Sequence, residues 1–290
     1  MTDFLQYVIG GLAAGSLYAL AALGLTLIFK TSEIVNFANG EMAMVSTFAA
    51  FFLLRAWEWP YWAAFLGALA FAALLGILLE RLFMRPVQKA NHLNQIMVTL
   101  GIFLVLNGTV SVYVYEPQPF PKPVEGAPFM VSGLFISRDS VLIFIIATAI
   151  MLALYLFSTY TLSGIALRAT AQNLLTSRLM GVPTGRVYAI TWAFAAMLGA
   201  VAGMLIAPTT GLDPNFMGDV AIKAFAGAIL GGLGSLPGAV AGGLLLGVLE
   251  NLIVGYLAPE LKAVFAFSLI LLVLVIRPQG IMGAPLRRRV

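Results

Sequence analysis

Apolar runs long enough to cross a bilayer, at about 20 residues each, recur along the whole of this 290-residue chain, and that recurrence limits the fold more than any single motif. Nine candidate spans fall near 4–29, 34–54, 61–83, 94–115, 140–159, 187–207, 219–235, 237–257 and 262–276. Charged residues make up only 10% of the sequence, where soluble domains carry roughly 25%, so the chain reads as an integral membrane protein. The spans are helical. Strands of a membrane barrel would alternate over roughly ten residues, and these runs do not. Cysteine is absent, which excludes disulfides and thiolate metal sites. The start, Met1-Thr2-Asp3, has no basic n-region, so the first apolar run reads as a retained span and not a cleaved signal.

The connections organise the spans. Residues 116–139 hold Pro117, Pro119, Pro121, Pro123 and Pro128 and form a non-helical loop. The seventh run, 219–235, is short, Gly-rich and contains Lys223; if it or 34–54 is re-entrant or broken, the span count changes and the parity is restored elsewhere. Lys and Arg positions then orient the bundle. With the loop from Ser163 to Arg186 inside, eleven basic residues lie inside: Lys30, Arg81, Arg85, Lys89, Arg168, Arg178, Arg186, Arg277, Arg287, Arg288 and Arg289. Four lie outside: Arg55, Lys122, Arg138 and Lys262. The basic excess is therefore topological and not a nucleic-acid footprint. It places the N-terminus outside and the C-terminus inside.

The loop Ser163–Arg186 is a polar island between two spans. Ser163 is a candidate N-cap, Ile165 to Met180 holds good helix formers, and Gly181 followed by Pro183 supplies a stop. Leu167, Ala171, Leu174 and Met180 can share one side of this helix, with Arg168, Gln172, Thr176 and Ser177 toward the other. Such a helix either lies on the membrane surface or is presented to a cytoplasmic partner.

Small residues four apart, including Gly11/Gly15, Gly199/Gly203, Gly227/Gly231 and Gly243/Gly247, predict close helix packing. The run G-G-L-G-S-L-P-G from Gly231 to Gly238 predicts an unwound turn. It lacks the Lys-Ser/Thr ending of a phosphate-binding loop, so this chain is not expected to hydrolyse nucleotide itself. Polar residues at span depth are few. Asn36, Asn39 and Glu41 open an apolar run, and Glu41 either lines a path or pairs with Lys30 or a helix N-terminus. Glu80, Lys223 and Glu250 carry the same two readings, with Lys223 and Glu250 a pair if the Gly-rich turn folds their spans together. His92 stands alone in a basic loop without partners for a metal. No Ser/His/Asp set, paired-carboxylate site or metal cluster is visible, so no catalytic, cofactor-binding or metal residue is assigned and no enzyme is expected.

Several segments, in order along the chain, together resemble the branched-chain amino acid ABC-transporter permease family of the LivH type. They are G-S-L-Y-A-L-A-A-L-G-L-T-L-I-F-K (Gly15–Lys30), I-V-N-F-A-N-G-E (Ile34–Glu41), A-L-R-A-T-A-Q-N (Ala166–Asn173), G-V-P-T-G-R-V (Gly181–Val187), K-A-F-A-G-A-I-L-G-G-L-G-S-L-P-G-A-V-A-G-G (Lys223–Gly243) and R-P-Q-G-I-M-G (Arg277–Gly283). The family usually carries histidine where this chain has Asn39, which removes a titratable group there.

The resemblance implies an all-α integral membrane protein. It would be a polytopic bundle of about eight to ten transmembrane helices, some short or broken, forming a single permease domain over 1–290. The implied partners are a second homologous permease subunit, two cytoplasmic ATPase subunits that use ATP and Mg, and a periplasmic solute-binding protein. The location implied is the bacterial inner membrane, with no nucleic acid involved. The helix over about 165–181 would be the coupling helix, contacting an ATPase through Arg168, Gln172, Leu174, Leu175, Arg178 and Gly181. Asn36, Asn39, Glu41 and Lys223 become candidates for the translocation path. The outer Pro-rich loop and Leu212–Asp219 are candidate contacts for the binding protein. The cargo implied is an amino acid, branched-chain ones first, with amides, urea or small aromatic acids as alternatives. An ATPase-independent secondary transporter or channel is the alternative of a different class, and it would need an intramembrane ion site.

Overall fold

The structure, a computed structural model, describes residues 2–124, 126–131, 133–277 and 279–283. The expectations on Met1, Pro278, Arg287, Arg288 and Arg289 fall outside the described residues.

Among the described residues, twelve α-helices account for nearly all the regular structure: α1 (Thr2–Ser32), α2 (Asn39–Ala56), α3 (Tyr61–Leu79), α4 (Arg85–Val87), α5 (His92–Tyr113), α6 (Arg138–Tyr160), α7 (Leu162–Gln172), α8 (Leu174–Leu179), α9 (Thr184–Thr210), α10 (Gly218–Gly231), α11 (Leu236–Tyr256) and α12 (Leu261–Ile276). A π-helical turn, Glu80–Met84, joins α3 to α4 into one continuous rod. Among the described residues, six helices are long and apolar enough to cross a membrane: Thr2–Ser32, Tyr61–Val87, His92–Tyr113, Arg138–Tyr160, Thr184–Thr210 and Leu236–Tyr256. This is a polytopic all-α membrane protein. The other three runs expected to span appear as α2, α10 and α12, of 18, 14 and 16 residues. At 1.5 Å per residue, α10 extends only about 21 Å, short of a hydrocarbon core of about 30 Å. These are the short elements that the glycines and charges in the sequence foreshadow.

The described residues of the Pro-rich segment are non-helical, as its prolines require, apart from the first turn of α6 at Arg138. The segment holds a small antiparallel hairpin, β1 (Phe129–Val131) with β2 (Leu134–Ile136), in which Met130 pairs with Phe135, and an isolated antiparallel bridge from Gln118 to Leu212.

The chain divides into two compact units. The first combines 1–26, 122–150 and 219–290, and the second combines 27–121 and 151–218. In the first unit, glycine sets how close the helices come. A Cβ on Gly11 would stand 2.6 Å from Val248 Cα, and one on Gly15 would stand 2.9 Å from Leu244 Cα, so α1 and α11 touch backbone to backbone. Lipid provides no hydrophobic drive for helix association, so such contacts supply it through dispersion and packing. The unwound turn lies where the breakers are: α10 ends at Gly231, Gly232 takes φ +108, and Ser235 caps α11 by accepting from Gly238 N. Ile281 N donates to Leu230 O and Met282 N to Gly231 O, so the segment after α12 satisfies the last carbonyls of α10.

In the second unit, α9 is buried over most of its length between α2 and α3. Gly76 lies against the Trp192 carbonyl on one side of it, and on the other a Cβ on Gly199 would stand 3.0 Å from Ala43 Cβ. Pro208, which has no N–H to donate, sits in the last turn of α9, and Gly211 at φ +77 ends the helix.

Candidate functional site

Three clusters hold the residues singled out in the sequence. The first is the segment between α6 and α9. One helix over 165–181 was expected, and two are present. Asn173 is extended (φ −157, ψ 105), serving as the last cap of α7 and the first of α8, and its Oδ1 accepts from Thr176 N at 3.0 Å. Asn competes well for local backbone hydrogen bonds, which is why it breaks the run here. The start also moves. Thr161, not Ser163, is the N-cap and accepts from Gly164 N. The end is where the sequence puts it: Gly181 has φ +79, with Gly181 N donating to Arg178 O and Val182 N to Ser177 O, a Schellman stop.

The break at Asn173 redistributes the faces. Leu167 is buried and Leu174 half-buried, as expected, but Ser177 is buried while Met180 is 80% exposed. Leu175 at 69%, Leu179 at 79% and Met180 form an exposed apolar set on or beside the six-residue α8. Arg168 Nη2 donates to Thr159 O at 3.0 Å, putting its cation on the last turn of α6, where the helix dipole favours it. Arg178 Nε donates to Thr184 Oγ1 at 3.2 Å, tying α8 to the first residue of α9. Gln172 is exposed. Just downstream, Arg85 Nη2 donates to Gly185 O at 2.9 Å and also meets the fully buried Glu80 at 3.0 Å. That cation fastens the start of α9 to the end of α3.

The second cluster surrounds the start of α2. Asn36 Oδ1 accepts from Ala38 N at 3.0 Å, a local turn that aims the chain into the helix. Asn36, Asn39 and Glu41 are all buried. Glu41 is in the first turn of α2, where a carboxylate is favoured by the helix N-terminus. Its Oε2 accepts from Asn107 Nδ2 at 3.3 Å, and the same amide group lies within 3.1 Å of Pro214 O and 3.3 Å of Asn215 Oδ1. One side chain on α5 thus links α2 to the turn before α10. Sequence reading missed Asn107, although a lone amide inside the apolar run 94–115 was its signal. Replacing Glu41 with Gln keeps the shape and removes the charge on this bond. We expect a loss of about 1 kcal/mol in stability, with normal insertion and reduced solute uptake; wild-type uptake would leave Glu41 a purely structural residue.

The third cluster belongs to the first unit, so the four path candidates are divided between units. Lys223 is only 1% exposed, and its Nζ meets Glu250 Oε1 at 2.8 Å. Here α10 and α11 are folded together by the Gly-rich turn, and the pair expected on that condition forms. Lys223 also meets Asp219 and donates to Tyr18 Oη at 3.4 Å, with Nζ 5.4 Å from the Tyr18 ring centre. Lys262 meets Glu250 Oε1 at 3.0 Å. Two ammonium groups and two carboxylates thus form a balanced set. Tyr18 went unassigned in the sequence, and Asp219 and Lys262 were read only as part of the outer segment Leu212–Asp219 and as an outside cation, because only the fold brings the three to this cluster.

The description "Branched-chain amino acid transport system / permease component" belongs to the family model that matches residues 7–274. The chain belongs to that family. The permease is 37% identical to the high-affinity branched-chain amino acid transport system permease protein LivH of Escherichia coli K12, over 97% of this chain and 96% of that one. It is 34% identical to BraD of Pseudomonas aeruginosa, described in the same words, with the same coverage. A probable LivH of Methanocaldococcus jannaschii is 30% identical over 94% of this chain and 91% of its own. Among solved structures, PsaBC from Streptococcus pneumoniae in complex with Fab matches with a TM-score of 0.51, covering 95% of this chain and 92% of that one, at 15% identity. That likeness concerns the fold alone. The permease is accordingly a multi-pass subunit of the ABC-importer class.

Proposed function

We propose that this permease carries branched-chain amino acids (leucine, isoleucine and valine) inward across a bacterial inner membrane. It would work with a second homologous permease, two cytoplasmic ATPase subunits and a periplasmic binding protein. The observation that carries the reading is the identity of 37% over nearly the full length with a permease described by that cargo. ATP and Mg belong to the ATPase subunits, and this chain contributes no catalytic residue. The apolar, exposed side chains Leu175, Leu179 and Met180 are suited to a groove in an ATPase. Arg168 and Arg178 hold that surface to the ends of α6 and α9, so a displacement of α7–α8 is passed to two spans as a rigid-body shift. Asn36, Asn39, Glu41 and Lys223 are the residues proposed to line or gate the path.

The test is uptake of labelled leucine by cells that lack their own importer and express this permease with its partner subunits. Competition by isoleucine and valine, and not by urea, acetamide or benzoate, is the expected result. Competition by urea or acetamide alone would assign the cargo to the amides. Uptake that persists after ATP is exhausted, with the proton gradient intact, would overturn the ATP-driven mechanism.

A further inference from the structure

A groove of about 750 Å³ lies among α2, α3 and α5 within the second unit, lined by Phe48, Phe52, Gly67, Phe71, Val110 and Tyr113 among others. Its walls are almost wholly apolar. Its lining along α2 runs from Val45 to Ala56, and at 1.5 Å per residue the rise from Val45 to Arg55 covers about 15 Å. That is one leaflet's share of a hydrocarbon core of about 30 Å.

The surroundings fix the level of the groove in the membrane. Three of the four tryptophans in the chain, Trp57, Trp59 and Trp62, cluster at the turn from α2 to α3, and all three are exposed. Tryptophan concentrates at the boundary between headgroups and acyl chains. The groove therefore begins at the headgroup level, at Trp59 and Tyr113, and descends into the apolar zone. Arg55 stands at its mouth, in the last turn of α2, exposed. Among the described residues it forms no ion pair, and the nearby Glu58 does not engage it. An unpartnered cation at headgroup level above a leaflet-deep apolar slot matches a lipid that has a negative headgroup and a long tail.

We propose that this groove is a binding site for one anionic phospholipid, with an acyl chain in the slot and its phosphate on Arg55. Trp59, which lines the slot, is the reporter. The experiment reconstitutes the full chain in phosphatidylcholine vesicles in which a minor share of lipid is acyl-brominated, either phosphatidylglycerol or phosphatidylcholine. The Trp59 signal is the difference between the wild type and Trp59→Phe. Bromine on phosphatidylglycerol should quench it at about fivefold lower lipid fraction than bromine on phosphatidylcholine, the factor one basic residue near an anionic surface supplies. Arg55→Gln should abolish that preference and Arg55→Lys should keep it. Equal quenching by both lipids in the wild type would overturn the anionic site. No quenching by either lipid would overturn lipid occupancy. Quenching that disappears once the second permease subunit is added would make the groove a subunit interface, and the proposal would fail.

Discussion

Replacing Glu250 with Gln should destabilise the permease by about 3 kcal/mol, the low end of what removing one partner of a buried ion pair costs. Glu250 Oε1 receives both Lys223 and Lys262, so a single change leaves two cations without their shared carboxylate. Lys223 has almost no exposure and cannot turn to water. The remaining contact, Asp219, is 62% exposed, and water weakens what it contributes. This puts the cost at the low end and not at the 5 kcal/mol of a fully stranded charge. The measurement is the thermal midpoint or the half-life in detergent of the variant against the wild type. An unchanged midpoint would mean that the pair makes no net contribution.

A second variant separates structure from transport. Removing both charges, with Lys223→Met and Glu250→Leu together, replaces an ion pair by apolar groups of similar size, a change that is often neutral or stabilising. We expect near wild-type stability from this double variant and, on the proposal that Lys223 lines the path, loss of leucine uptake even when the fold is intact. The non-additivity of the two single changes against the double one gives the coupling energy of the pair. Retained uptake in a stable double variant would take Lys223 out of the path.

What could be read in the sequence were features set by local chemistry or by lipid. Apolar length located the six long helices, because a hydrocarbon core imposes a minimum number of apolar residues whatever the packing. Glycine and proline marked the break at Gly231–Gly238 and the stop at Gly181, both matters of backbone geometry within a few residues. The break inside the expected coupling helix escaped, because Asn173 is compatible with a helix and its capping role depends on a balance of local hydrogen bonds. The polar clusters were half legible. Glu41, Lys223 and Glu250 stood out as charges at span depth, but Asn107 and Tyr18 became partners only when helices far apart in sequence were packed together. The groove beside Arg55 was wholly hidden, since its slot is a gap between three helices and a linear pattern records side chains, not the space they leave.

Changing Leu174 and Leu175 together to Asp should abolish recovery of the ATPase subunits with the tagged permease while leaving insertion intact. The two leucines differ in exposure, and that shapes the expectation. Leu175 is 69% exposed and free to be an anchor, whereas Leu174 is half-buried against the permease itself. Truncating an anchor at the centre of an interface costs about 2 kcal/mol or more, roughly thirtyfold in affinity. A carboxylate in an apolar groove costs further desolvation. Leu175→Asp alone should therefore carry most of the loss, with stability unchanged, and Leu174→Asp should lower both docking and stability. Two controls keep the result specific: Gln172→Ala, exposed on the preceding helix, should weaken docking far less, and Asn173→Ala should alter it by removing the cap that aims α8. If the Asp pair leaves ATPase recovery unchanged, the α7–α8 segment is a surface helix pair and the drive must enter elsewhere.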